Sequence, residues 1–132
     1  MMVSLKTNCN ELHTKRLALS QFVFCQGCCC GRTDRGKPEL PLDWLKSEWK
    51  EKGLGKKVHL TISGCLGPCD LTNVLCVMGP EGQQWIGNLS GMDDYRQVVA
   101  WAEEMSRSGG TALVPESLAS RVFDRFHAGN EA

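Results

Sequence analysis

Val58-His59-Leu60-Thr61-Ile62 runs straight through Ser63 into Gly64-Cys65-Leu66-Gly67-Pro68-Cys69, and the reading of this stretch decides the fold. The first five residues alternate apolar and polar, so Val58, Leu60 and Ile62 share the core face of a strand and His59 lies on the other. We read His59 as a surface residue and not as a ligand. A denser run, Cys25-Gln26-Gly27-Cys28-Cys29-Cys30-Gly31, lies upstream and follows Gln21-Phe22-Val23-Phe24-Cys25. That pentad is aromatic and β-branched, the composition of a buried strand. Six of the eight cysteines therefore stand in two short loops, each at the end of a strand.

The segment between the two strands fixes how they pair. Pro41 to Lys52 reads as a helix, with Pro41 in the first turn, Asp43 at the positive end and Lys50 and Lys52 at the other. Leu42, Leu45 and Trp49 form its buried stripe, and Gly53 is its stop. Strand, crossover helix and strand imply a parallel pair with a right-handed connection. Parallel neighbours end on the same sheet edge, so Cys25 and Cys65 are expected side by side, at the carboxyl edge where open α/β sheets bind ligands.

Downstream, Asn73-Val74-Leu75-Cys76-Val77-Met78 is nearly all apolar and reads as a central strand, with Cys76 as core packing. Gly79-Pro80-Glu81-Gly82 is a turn, and Gln83 to Ile86 returns as the second arm of a hairpin. Ser90 suits an N-cap, with Asp93 in the capping-box position of a helix that runs to about Ser106. Met92, Tyr95, Val98, Val99, Ala102 and Met105 form its apolar face, and Gly109-Gly110 ends it. Leu118, Val122 and Phe126 predict a further helix within Pro115 to Phe126. The fold class is α/β: a mixed four-stranded sheet with flanking helices and a short C-terminal helix. Residues 1–20, which include Cys9, read as a lead-in, 21–110 as the domain and 111–132 as a helical tail.

At 132 residues the chain suits one domain. No apolar run reaches the roughly 18–20 residues needed to span a bilayer. Lys6, Glu11, His13, Lys15 and Arg16 leave no signal-peptide core near the start, so a cytoplasmic protein is expected. A reducing cytosol disfavours disulfides, and ligation is then the reason for so many thiols. Formal net charge is zero but uneven. Residues 32–57 hold eight Lys/Arg against five Asp/Glu, whereas residues 69–104 hold six Asp/Glu against Arg96 alone. Such an acidic flank steers a basic partner or is simply a solvated face. The basic excess expected of nucleic-acid binding is missing.

Taking Cys25, Cys30, Cys65 and Cys69 as one set gives C-x4-C-x34-C-x3-C. Four thiolates on two loops suit an iron–sulfur cluster. Structural zinc prefers Cys-x2-Cys knuckles, which Cys25 and Cys28 match and Cys65 and Cys69 do not. Thiol–disulfide exchange uses Cys-x-x-Cys at a helix start, and Cys65 to Cys69 has one residue too many. No Ser-His-Asp set and no nucleotide-binding glycine loop is evident, and the histidines are scattered at 13, 59 and 127. The expectation is a carrier and not an enzyme, with no catalytic residues.

This frame resembles the thioredoxin-like 2Fe–2S ferredoxins and the related small 2Fe–2S subunit of NADH dehydrogenase. The resemblance rests on Val23-Phe24-Cys25, on Gly64-Cys65 and Cys69, on the apolar strand after them, and on Gln84-Trp85-Ile86-Gly87. It covers roughly residues 21–107. It implies a thioredoxin-like fold, a 2Fe–2S cluster held by Cys25, Cys30, Cys65 and Cys69, one-electron transfer with redox partner proteins (a reductase or an acceptor enzyme), and a homodimer. The family has one second ligand where this chain offers Cys28, Cys29 and Cys30. Cys30 gives the spacing of the dehydrogenase branch, with Cys29 and Cys28 as the alternatives. The run Cys28-Cys29-Cys30-Gly31-Arg32 also resembles a ferredoxin subgroup associated with cobalamin biosynthesis.

Overall fold

Alternation along two central strands builds the molecule. In the computed structural model, which describes residues 12–27, 30–68, 70–80 and 82–127, strand β1 spans Ser20–Cys25 and strand β3 spans Leu75–Gly79. Phe22, Phe24, Leu75 and Val77 face one side of the sheet, where they are buried with Leu45, Trp49, Tyr95, Val98 and Trp101. Val23, Cys25, Val74 and Cys76 face the other side and form a second buried layer with Cys30 and Trp85. The period of two thus gives one sheet two cores.

The first core is the helical one. Helix α1 (Leu42–Glu51) buries Leu45 and Trp49, and its chain reverses at Gly53, whose φ of 61° is the left-handed value glycine accepts most readily. The Trp49 indole N–H also donates to the carbonyl of Val58, at 2.8 Å, and so ties the helix to strand β2 (Val58–Ser63). Helix α2 (Met92–Ser108) packs Tyr95, Val98, Val99, Trp101, Ala102 and Met105 inward. Its first turn is closed by Asp94, not Asp93: the Asp94 carboxylate accepts from the Ser90 N–H at 2.8 Å, while Asp93 points to solvent and meets Arg96. The helix starts one residue later than a Ser90 cap implies, so the carboxylate within reach is the next one along.

Strands β1 and β2 are parallel, with Ser20 opposite Val58 and Cys25 opposite Ser63. Strand β3 is antiparallel to β1, and strand β4 (Gly82–Ile86) is antiparallel to β3. The order is β2-β1-β3-β4, with a fifth strand, β5 (Val122–Phe123), added beyond β4. The four-stranded part is the mixed α/β, thioredoxin-like arrangement that the cysteine frame implies. Two details of the expectation change. The sheet has five strands and not four, and the helix expected over Pro115 to Phe126 is only one turn, α3 (Glu116–Ala119).

The reason lies in what Val122 and its neighbour can pair with. Val122 and Phe123 form β5, opposite Ile86 and Trp85, and satisfy the free edge of β4. Leu118 alone keeps the helical role and is fully buried in the first core. Phe126, expected inside a helix face, stays 65% exposed. Among the described residues, no helix is long and apolar enough to cross a membrane.

Candidate functional site

Cys25 is the last residue of β1, and its N–H donates to the carbonyl of Val74 at 3.0 Å. The next N–H, of Gln26, donates to Ser63 at the end of β2, at 2.9 Å. Both parallel strands therefore release their loops at one edge, as the topology requires. The Gly27 N–H donates to the Cys30 carbonyl at 3.1 Å, and this closes the first loop on itself. Gly27 has a φ of 111°, a value that side-chain-bearing residues rarely adopt.

Cys25 and Cys30 are buried together in the second core layer, whereas Cys65 is exposed at the rim. Cys25, Cys30, Cys65 and Cys76 carry thiols with no disulfide among the four. Burial first, then the Cys30 thiol hydrogen-bonded beside it and the nearby Cys65, push the Cys25 thiol up to about 12, although the Leu66 backbone N–H opposes this. Cys25 thus senses a thiol of its own loop and one forty residues along the chain. An isolated thiolate is disfavoured in such a pocket, and a bound cation reverses that preference.

Asn73 organises the surroundings. It is 2% exposed and has a φ of 60°. Its backbone N–H donates to the Cys30 Sγ at 3.1 Å. Its side chain accepts from the Gly31 N–H at 2.6 Å and donates to the carbonyls of Pro38 and Leu89, at 2.9 and 3.0 Å. One left-handed residue thereby pins the cysteine loop, the segment leading to α1 and the segment leading to α2. A backbone donor aimed at a buried sulfur suits a thiolate that shares its charge with a metal.

The second loop is held differently. Gly67, with a φ of 120°, packs under the guanidinium of Arg125, so a Cβ at this position would collide with that group. Arg125 in turn lies 5.7 Å from the Trp85 ring centroid and 5.2 Å from that of Phe126.

Of the four residues expected to act together, the structure gathers Cys25 and Cys30 and brings Cys65 to their edge. Cys69, the fourth, and the alternatives Cys28 and Cys29 lie outside the described residues, as does Cys9. Among the described residues, no group of three or more His, Cys, Asp or Glu is placed to hold a metal ion. The donor chemistry itself fits a thiolate-bound metal–sulfur group: soft sulfurs, with backbone N–H donors to Cys25 and Cys30, beside glycines that let the backbone approach. Cys76 is buried away from this edge, and burial alone pushes its thiol up to about 11, consistent with core packing. Asn73 and Arg125 were missed from the sequence. Asparagine before an apolar strand is only a weak left-handed signal, and Arg125 lies outside the matching cysteine frame.

A scan against models of protein families finds no match, and neither does a search of the curated proteins. Among solved structures, the chain is similar to the wild-type thioredoxin-like [2Fe-2S] ferredoxin from Aquifex aeolicus, at 20% identity and a TM-score of 0.48, over 83% of this chain and 100% of that chain. The family in that description is the one the cysteine frame resembles.

Proposed function

We propose that the chain is a one-electron carrier that holds a 2Fe–2S cluster on Cys25, Cys30, Cys65 and Cys69. The observation that carries this is the Asn73 N–H on the Cys30 sulfur, within a pocket where Cys30 and Cys65 lie close enough to Cys25 to raise its thiol. Cys30 is taken as the ligand from the run of three because its spacing is that of the dehydrogenase branch, and its buried sulfur accepts from that donor. The cluster supplies a one-electron couple when bound. The protein's own part is to bury two sulfurs, leave Cys65 at the rim for transfer, and tune the couple through hydrogen bonds and burial. Redox partner proteins, a reductase or an acceptor enzyme, a homodimeric state, a cytoplasmic setting and service to a biosynthetic pathway such as cobalamin formation belong to the same reading.

Anaerobic purification tests it. Red-brown protein with two iron and two acid-labile sulfide per chain is expected. Colourless protein with stoichiometric zinc replaces the reading with a zinc-stabilised interaction module. Metal-free protein that cycles between dithiol and disulfide replaces it with a thiol redox protein.

A further inference from the structure

The tail that follows α2 returns to the cysteine edge. After β5 pairs with β4, the chain sets Arg125 between two aromatic rings, Trp85 of the sheet and the exposed Phe126. Trp85 also packs against Phe123 and Phe126, each at 6.1 Å between centroids, so this aromatic group is built by the tail closing on the sheet. The ring faces attract the cation and hold its plane. The guanidinium then occupies the space above Gly67, with its Cζ 3.3 Å from where a Cβ would stand. Its Nε is buried and takes no hydrogen-bond partner among the described residues. Burying one edge of a cation without a partner is costly unless negative charge lies nearby.

We propose that Arg125 is the positioning residue of the second cysteine loop, and that it places a permanent positive charge against that loop at Gly67, two residues from Cys65. This rests on the thiolate-bound cluster proposed above. Glycine at position 67 leaves the room, the aromatic pair holds the guanidinium, and the loop carrying Cys65 is held by the tail. Reduction adds one electron, delivered by a reductase-class partner, and one negative charge, with no bond made or broken. A cation held against the loop therefore favours the reduced state.

The purified protein tests this with two readouts. In a spectroelectrochemical titration, Arg125→Gln lowers the reduction equilibrium constant about tenfold, or about 59 mV for a one-electron couple, with iron and sulfide per chain unchanged. Arg125→Lys keeps the charge but not the planar fork, so it recovers most of that shift. In hydrogen exchange on metal-free protein, the amides of Gly64 to Gly67 exchange several-fold faster in Arg125→Gln than in wild type or in Arg107→Gln. An unchanged potential in Arg125→Gln overturns the proposal whatever the loop does. If the wild-type chain holds no iron, the cluster reading fails by itself. Exchange then decides: faster loop exchange in Arg125→Gln supports the positioning role, and equal exchange overturns it.

Discussion

The two cysteine loops leave the same sheet edge, yet they are held in opposite ways. The first leaves β1, a strand with neighbours on both sides, and its Cys25 and Cys30 are 3% and 1% exposed. Its hydrogen bonds run inward, through Asn73, to three separate segments. The second leaves β2, an edge strand, and its Cys65 is exposed. Its Leu66 packs on the second core layer, and its Gly67 meets a side chain from the tail, Arg125. A site assembled from one buried and one accessible half keeps its geometry on one side and, under the proposed function, would open its route for electrons on the other.

Removing a sulfur breaks the comparison most severely. Cys65→Ser and Cys30→Ser are expected to lose the visible absorbance and most of the iron, since each loop gives only two ligands. Cys69→Ser is expected to do the same, and unchanged iron content in that variant sinks the assignment. Cys28→Ser is expected to be far milder than Cys30→Ser. The reverse ranking transfers the ligand to Cys28.

Next in size is the support of the buried half. Asn73→Ala removes three side-chain hydrogen bonds, leaves the Gly31 N–H without its acceptor and puts alanine at a φ of 60°. We expect a loss of about 2–4 kcal/mol in urea unfolding. Asn88 is a control in the same molecule, because it has a φ of 56° but is exposed. Asn88→Ala should cost only the backbone part, about 1 kcal/mol. Equal losses at the two positions would mean that the Asn73 side chain contributes nothing beyond its conformation.

Legibility in the sequence follows the same division. The parallel pair, the crossover helix and the hairpin were readable because each is a local pattern whose partner is fixed by chain direction. Cys65 looked the more certain ligand because no second cysteine crowds it, while Cys30 stood in a run of three. In three dimensions Cys30 is buried beside Cys25, and its sulfur accepts from the Asn73 N–H. Adjacent cysteines in a run are identical in type, so nothing local in the sequence signals that the backbone of Asn73, 43 residues on, reaches the Cys30 sulfur. The tail was misread for a related reason. Leu118, Val122 and Phe126 have helical spacing, but the unpaired edge of β4 offers Val122 and Phe123 a ladder that the spacing cannot reveal.

Cys76 separates burial from proximity in the thiol layer. Burial alone raises it to about 11, while Cys25, in the same layer but beside Cys30 and Cys65, reaches about 12. For Cys76 the unfolded thiol loses its proton first, at its ordinary 9.0. Its contribution to stability is therefore complete below pH 9 and falls away as the pH rises from 9 to about 11. Unfolding free energies of wild type and Cys76→Ala, compared across that window, should converge as the pH rises. Parallel curves would show that the Cys76 thiol is not desolvated. At pH 8 the exposed Cys65 of metal-free protein should react with iodoacetamide well before Cys76.

The smallest effect sharpens what holds the first loop. Beyond Gly31 that loop carries an exposed ion pair, with Arg32 donating to both carboxylate oxygens of Asp34 at 2.8 and 2.7 Å. The hydrogen bond from Arg32 pulls the Asp34 carboxyl down to about 2. Two charges in water attract weakly, and ordering two flexible side chains offsets most of the gain. Asp34→Asn should therefore leave the unfolding midpoint unmoved at pH 7, and should leave iron content unmoved as well. If it instead loosened Cys30, the distal turn Thr33–Arg35 would share the work assigned to Asn73, and the inward hydrogen bonds would no longer account for the contrast between the loops.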